Sequence, residues 1–202
     1  PLIRFEFYDL LEALDAHIPR LNAQKPTILI APAQVLQQLA QHPSLAIHPK
    51  KIISVAEVLE PQVKIRIEQR FGTPVHQIYQ CTEGFLAHTC AHGNLHLNED
   101  MVYIEKDWID RESGRFAPII TDFNRKSQPV IRYRLDDVLI ANDAPCPCGS
   151  AFARISAIEG RCDDILDART ANGEPYALYA DFIRRAMISD DLIQEYRVEQ
   201  HG

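Results

Sequence analysis

The sequence predicts an α/β fold: a parallel sheet with flanking helices, then a smaller antiparallel β subdomain and the start of a C-terminal α+β domain. Two observations carry this prediction. Up to residue 80, short apolar runs alternate with stretches of helical periodicity, which is typical of parallel strands covered by helices. After Gly84, short strand-like segments follow one another with few helical signals between them, which indicates antiparallel pairing.

The spacing of apolar residues and the positions of prolines predict the helices and strands of the first part. Pro61 opens a helix, because proline suits the first helical position. Strands are expected at residues 27–31, 52–55 and 75–79, with another helix after Pro32. An amphipathic helix over residues 9–22 is marked by apolar residues at helical spacing, namely Leu10, Leu14, Ile18 and Leu21.

The second part contains predicted strands at residues 95–98, 102–105, 118–123, 130–135 and 154–158. In the strand 130–135, alternation puts Arg132 and Arg134 on one face. Asp136 and Asp137 end that strand, where a carboxylate can leave the sheet and face a ligand. Residues 160–164 are expected to form a linker. Beyond them we predict a strand at 196–199 and, before it, a helix marked by Tyr179, Phe182, Ile183 and Met187.

Composition narrows the function classes. The chain has 202 residues, of which 46% are hydrophobic, so it can bury a sizeable core. A net charge of -7 argues against a nucleic acid or an anionic membrane surface as the main partner. The chain has five cysteines, an odd number, and they are clustered. This pattern argues against a disulfide framework and favours a bound metal and a reducing compartment, the cytoplasm.

The candidate metal ligands are Cys90, His92, His96, Cys146 and Cys148. Thiolates and imidazoles are the ligands that Zn²⁺ takes in tetrahedral structural sites. From spacing alone, a zinc site and a group of buried or free thiols are equal alternatives. Cys81 and Cys162 stand apart from this group and are interpreted as ordinary small residues.

Several motifs occur in a fixed order along the chain, and an ordered set is more specific than any one motif. They are Tyr79-Gln80-Cys81-Thr82-Glu83-Gly84, Gly93-Asn94-Leu95-His96-Leu97-Asn98-Glu99-Asp100, Ile131-Arg132-Tyr133-Arg134-x-x-Asp137, Cys146-Pro147-Cys148-Gly149 and Gly160-Arg161-x-Asp163-Asp164.

This set resembles the adenylate-forming (AMP-forming) ligases, specifically the phenylacetate–CoA ligase branch, to which deazaflavin-adenylating synthetases are related. The resemblance implies a ligase that uses ATP and Mg²⁺ to activate a small-molecule carboxylic acid as an acyl-adenylate, with CoA as a candidate acceptor. The oligomeric state stays open, with a homodimer among the alternatives. A cysteine before the Gly-x-x-His segment and a later Cys-x-Cys-Gly are also features of the branch. Together they favour a structural Zn²⁺ on Cys90, His96, Cys146 and Cys148, with His92 as the substitute for His96.

The resemblance also implies roles for individual residues. Tyr79 would stack on adenine, Thr82 would contact the phosphate and acyl region, and Glu83 would bind Mg²⁺. Asp137 would accept hydrogen bonds from the ribose diol, and Arg161 would add a charged donor to the same nucleotide. The alternatives are a helix N-cap at Thr82 and, at Asp137, a solvated strand end paired with Arg134.

Two departures and two missing parts limit the resemblance. The usual Gly-Gly-Glu reads Val55-Ala56-Glu57, and Gln80 replaces a glycine, so the nucleotide pocket could be reshaped. The phosphate loop would lie upstream and the catalytic lysine downstream, so a fragment that is inactive by itself is expected. Residues 1–160 would be the later part of the large domain (α/β up to 90, β-rich from 91), and 161–202 the hinge and start of the small domain. The alternative is a catalytically degenerate, zinc-stabilised nucleotide-binding or scaffold domain.

Overall fold

A computed structural model describes residues 3–162, 165–179, 182–183, 186–187 and 197–200. The chain divides into two compact units, one formed by residues 1–80 with 88–93 and the other by residues 81–87 with 94–202. In the part of the chain that the structure describes, no helix is both long and apolar enough to cross a membrane.

The first unit is built on a parallel sheet in the order β1-β2-β3. Its strands are β1 (Ile28–Pro32), β2 (Lys51–Val55) and β3 (Val75–Cys81), and its helices are α1 (Leu14–Gln24), α2 (Ala33–Gln41) and α3 (Pro61–Phe71). Pro61 opens α3 as predicted, and Gly72, with a φ of 66°, ends it in the left-handed conformation that favours glycine. The predicted parallel arrangement with flanking helices is confirmed.

The core of this unit lies on one face of the sheet. Leu29 and Ile52 are buried at alternating strand positions and belong to one cluster with side chains of the helices, among them Leu36 and Ile67. Because every second side chain of a strand points to the same face, the apolar run that predicts β1 lies only partly in the core, and Ile28 and Ile30 are 53% and 54% exposed.

Helix α1 begins at Leu14, five residues later than the predicted start at residue 9. The Asp9 carboxylate accepts a hydrogen bond from the Leu11 amide at 2.9 Å, and the Asp9 carbonyl accepts one from Glu12. Aspartate stabilises a turn in this way and competes with helix formation. Leu10 is 58% exposed, so the extra apolar position that extended the predicted helix does not pack into the core.

The second unit is dominated by antiparallel strands, as the predicted β subdomain requires. The order β5-β10-β9-β7-β6 forms its sheet, β8 pairs with β7, and β11 and β12 form a separate hairpin. After β3 the strands are β4 (Gly84–Thr89), β5 (Leu95–Leu97), β6 (Val102–Asp110), β7 (Arg115–Asp122), β8 (Tyr133–Arg134), β9 (Asp137–Asn142), β10 (Arg154–Arg161), β11 (Leu166–Arg169) and β12 (Pro175–Leu178).

Three predictions about this unit are wrong. The expected strand 130–135 shrinks to β8, since Arg132 has a φ of 46°, outside the extended region. Asp137 does not end a strand but begins β9, which the sequence analysis missed. Residues 160–161 are not a linker, because they continue β10 and pair with β9 through register shifts after Ile155 and Ile158.

Some C-terminal predictions fall on residues outside the described ranges. These include Asp163 and Asp164, and the predicted helix from Tyr179 to Met187 is described only at some of its positions. The predicted strand at 196–199 starts outside the described ranges, and residues 197–199 lie in neither a helix nor a strand.

Candidate metal centre and nucleotide-binding residues

The structure brings Cys90, His96, Cys146 and Cys148 together. Their candidate ligand atoms, three Sγ atoms and one imidazole nitrogen, all lie within 4.8 Å of one another. A tetrahedral Zn²⁺ with metal–sulfur bonds of about 2.3 Å would require sulfur atoms about 3.8 Å apart, so small side-chain adjustments suffice. His92 is exposed and is not part of the group.

Two similar turns present the cysteines. The Gly93 amide donates to the Cys90 carbonyl at 3.0 Å, and the Gly149 amide donates to the Cys146 carbonyl, also at 3.0 Å. Both glycines have a φ of 78°, a conformation that a residue with a Cβ atom rarely adopts. Each turn therefore fixes a cysteine at its first position by backbone geometry alone.

His96 is held with one ring nitrogen directed at the thiols. It is 2% exposed on β5, and its Nδ1–H donates to the Phe152 carbonyl at 3.2 Å. Nε2 then faces Cys148 Sγ at 3.5 Å and carries the lone pair that a metal needs. A backbone carbonyl on the far nitrogen is the usual way of orienting a metal-binding histidine, so these residues fit a zinc ion.

The Thr82–Glu83 pair forms the turn that joins β3 to β4. Because a strand follows, the alternative of a helix N-cap at Thr82 is wrong. Arg125 donates to the Thr82 carbonyl through Nη2, and the Asp122 carboxylate accepts a hydrogen bond from the Arg125 amide at 3.2 Å. Glu83 is half-buried, and Thr82 is exposed to solvent.

Asp137 and Arg161 lie opposite each other in the β9–β10 register. The neighbouring Asp136 carboxylate lies 3.6 Å from the Arg161 guanidinium and 3.8 Å from that of Arg134. Arg134 makes a shorter ion pair, at 2.7 Å, with Asp107 of β6. In the alternative interpretation, Asp137 pairs with Arg134. Asp137 would then compete with the Asp107 and Asp136 carboxylates for the Arg134 guanidinium.

The β3 segment carries the remaining predicted nucleotide contact. Tyr79 is buried, with 7% of its surface exposed, and Gln80 is exposed. Burial raises the pKa of the Cys81 thiol to about 11, so this thiol is protonated near neutral pH. Cys81 therefore lacks the thiolate that a nucleophile needs, in agreement with its interpretation as an ordinary small residue.

The departure at Val55-Ala56-Glu57 preserves a glycine-like backbone. Ala56 has a φ of 65°, in the left-handed region where glycine is unstrained. The Glu57 carboxylate accepts a hydrogen bond from the Gln34 amide at 2.9 Å, in the first turn of α2, where the helix favours a negative charge. Ala56 therefore has a backbone conformation that a glycine would adopt without strain.

Sequence reasoning missed Asn94, Arg125 and Arg154. Asn94 Nδ2 donates to Cys146 Sγ at 3.3 Å, and Arg154 Nη2 donates to Asn94 Oδ1 at 2.7 Å. Asn94 follows Gly93 inside a recognised motif, and this position was a signal that it lies beside the cysteines. Arg125 and Arg154 carry no local signal, because their partners are separated from them by 43 and 60 residues.

Comparisons with known proteins agree with the predicted class of fold. No protein-family model matches the sequence. Protein CapK of Staphylococcus aureus is 28% identical over 166 residues, which are 78% of this chain and 36% of CapK. The chain therefore spans about a third of that relative's length.

Solved structures of acid-activating enzymes share the architecture. A 2-hydroxyisobutyryl-CoA ligase in complex with an acyl-AMP has a TM-score of 0.71 at 22% identity, over 87% of this chain and 40% of that one. An anthranilate CoA ligase in complex with anthranoyl-AMP has a TM-score of 0.59 at 12% identity, over 88% of this chain and 37% of that one. An amide bond synthetase from Marinactinospora thermotolerans has a TM-score of 0.56 at 17% identity, over 86% of this chain and 37% of that one. Over the aligned residues, the chain has the fold of the adenylate-forming ligases.

Proposed function

We propose that this chain is part of an AMP-forming ligase that activates a carboxylic acid as an acyl-adenylate. The observation that carries the proposal is that its motif residues occupy two well-defined places in a fold shared with such enzymes. Thr82 and Glu83 form one turn, and Asp137 and Arg161 oppose each other across two strands. In the reaction, a substrate carboxylate oxygen attacks the α-phosphate of ATP and pyrophosphate leaves.

Strand β7 supports the proposal because both places are tied to it. Its last residue, Asp122, binds the Arg125 amide, and Arg125 holds the Thr82 carbonyl. On the same strand, Ile119 pairs with Arg134 of β8, next to the Asp136 carboxylate and Arg161. A single strand thus anchors the turn proposed for phosphate and Mg²⁺ and the residues proposed for the ribose.

Each residue has a proposed task. Asp137 accepts hydrogen bonds from the ribose hydroxyls, and Arg161 donates to the nucleotide. Glu83 holds the Mg²⁺ that neutralises charge on the leaving pyrophosphate, while Thr82 donates to phosphate. Tyr79 provides an aromatic surface for adenine. CoA is the proposed acyl acceptor, and the cytoplasm is the proposed location.

Carboxylate-dependent ATP–pyrophosphate exchange in the full-length protein tests this activity. We expect exchange with at least one acid of a broad aliphatic and aromatic panel, and its loss in Asp137→Ala. Asp143→Ala, an acidic-to-alanine change in the loop after β9, is the matched control and should exchange normally. The 202-residue chain alone should show no exchange. Measurable adenylation by that chain would refute the expectation that it is inactive by itself.

A second candidate is a nucleotide-binding or scaffold domain that has lost its chemistry. It is favoured by the two departures, Ala56 in a left-handed turn and an exposed Gln80 where the motif has glycine. ATP binding without exchange for any acid would support the nucleotide-binding form. Absence of ATP binding as well would support the scaffold.

We also propose that Cys90, His96, Cys146 and Cys148 hold one structural Zn²⁺. Four protein ligands leave no open position for a substrate, so the ion would stabilise the fold and not the transition state. Metal analysis of protein prepared without chelators should find about one equivalent of zinc. Cys148→Ser should release it and lower the melting temperature, whereas Cys162→Ser should retain it. Wild-type protein without zinc would refute this site.

A further inference from the structure

Two polar side chains outside the four ligands converge on the candidate metal centre. Asn94 lies between the Cys90 turn and His96, and its Nδ2 group donates to Cys146 Sγ at 3.3 Å. The amide oxygen of Asn94 accepts a hydrogen bond from Arg154 Nη2 at 2.7 Å. Asn94 thus connects a metal-binding sulfur to a cationic side chain of β10.

Arg154 binds the loop that carries Cys146 at two further points. Its Nη1 donates to the Ala144 carbonyl at 2.6 Å and to the Pro145 carbonyl at 3.2 Å. Arg154 is also the residue of β10 that pairs with His96 of β5. One guanidinium therefore ties together the cysteine loop, the strand of the histidine ligand and Asn94.

The charge of Arg154 complements that of a loaded site. A divalent ion with three thiolates and a neutral imidazole has two positive and three negative charges, so the site keeps one net negative charge. Arg154 supplies one positive charge close to it. Its Nε is buried without an acceptor among the residues that the structure describes, so this guanidinium is only partly compensated by its neighbours. A negative metal centre nearby would provide the missing electrostatic partner.

We propose that Asn94 and Arg154 form the outer shell of the metal centre, with Asn94 orienting the Cys146 sulfur and Arg154 fixing the cysteine loop and balancing the charge. This inference rests on the proposed metal site. Both are positioning residues, since neither supplies a ligand atom. Outer-shell groups of this kind typically change metal affinity 10–100-fold when they are removed.

Co²⁺ binding to the full-length protein tests the proposal, because thiolate-to-cobalt absorption reports ligation directly and chelator competition gives Kd. We expect Asn94→Ala and Arg154→Met each to raise Kd by about 10–100-fold. Asn172→Ala and Arg169→Met make the same chemical changes near the turn of the β11–β12 hairpin and should leave Kd within about twofold of the wild type. Circular dichroism establishes that the variants fold.

Asn94→Asp separates the two roles of Asn94, since a carboxylate keeps the acceptor for Arg154 and loses the donor to Cys146. We expect its Kd to rise as in Asn94→Ala, with a shifted thiolate-to-cobalt band. The double variant Asn94→Ala/Arg154→Met should lose less than the product of the two single effects, because the two side chains act together. If Arg154→Met does not fold, Asn94→Ala and Asn94→Asp still test the proposal.

The outcomes distinguish the site from its outer shell. A wild-type protein that binds no Co²⁺ overturns the metal site, and with it the proposal. Normal binding by the wild type together with an unchanged Kd in Asn94→Ala and Asn94→Asp overturns the outer shell alone. Strictly multiplicative effects in the double variant would show that the two side chains do not cooperate, which also contradicts the proposal.

Discussion

The ion pair between Arg115 of β7 and Glu159 of β10 gives the sharpest stability prediction. Two hydrogen bonds join the side chains, Nε to Oε2 at 2.6 Å and Nη2 to Oε1 at 2.8 Å. Glu159 is 3% exposed, and the Arg115 side chain is 17% exposed. The hydrogen bond that Arg115 donates to Glu159 raises the pKa of Arg115, and the Tyr179 ring lies 4.8 Å from its guanidinium.

Arg115→Met should lower the free energy of unfolding by about 3–5 kcal/mol, because it leaves a buried carboxylate without its partner. Glu159→Gln keeps the shape and one acceptor, so we expect a smaller loss of about 2–3 kcal/mol. The double variant Arg115→Met/Glu159→Leu should be close to the wild type, since replacing a whole buried pair by apolar side chains is often neutral.

Urea unfolding followed by tryptophan fluorescence measures these changes. Trp108 is the only tryptophan of the sequence, and its ring packs edge-on against Phe116 at 5.7 Å, one residue from Arg115. Lys106→Met removes a half-buried cation of β6 whose Nζ lies 5.3 Å from the Trp108 ring, and it is the control for a lost cation near the probe. A loss below about 1 kcal/mol in Arg115→Met, or a double variant as unstable as that single variant, would refute the reasoning.

Further predictions concern three other parts of the chain. Ala56→Gly should raise the free energy of unfolding by about 0.5–1 kcal/mol, since it relieves a left-handed alanine at some entropic cost, and a lower urea midpoint would contradict this. At pH 8, Cys81 should be alkylated about a hundredfold more slowly than a thiol of ordinary pKa, as measured by mass spectrometry. Because its folded pKa is raised from 9.0 to about 11, Cys81 contributes stability below pH 9 that is lost as the pH rises towards 11. Arg125→Gln should reduce pyrophosphate exchange in the full-length protein about tenfold through the loosened Thr82 turn, with zinc content unchanged; full exchange would argue against this role.

The first unit could be predicted well because its signals are local. Short apolar runs predict β1 and β2, and Pro61 marks the start of α3. These features depend on neighbours within a few residues, which any sequence window contains. The predicted start of α1 was wrong because the turn at Asp9 competes with a helix over the same residues.

The second unit was harder to predict because its strands are defined by distant partners. β9 pairs with β7 and with β10, and its first residue follows another aspartate, which is more typical of a turn than of a strand. The four candidate metal ligands were recognisable from residue type and motif context, and the structure brings them together. Arg154 could not be recognised in this way, since its hydrogen bond to Asn94 spans 60 residues and is set by tertiary packing.

The pairing of β5 with β10 also has a consequence for the order of folding. His96 and Cys148 are 52 residues apart, and β6, β7, β8 and β9 all lie between them. Closing a loop of that length costs about 3.5 kcal/mol of chain entropy, whereas β6 and β7 need only a short turn to meet. The β6–β7 hairpin is therefore expected to form early and the β5–β10 contact late. An ion that bound the Cys90–His96 segment and the Cys146–Cys148 loop before β10 docks would already hold the two ends of this loop together. The strands β9 and β10 would then spend less time as unpaired edges.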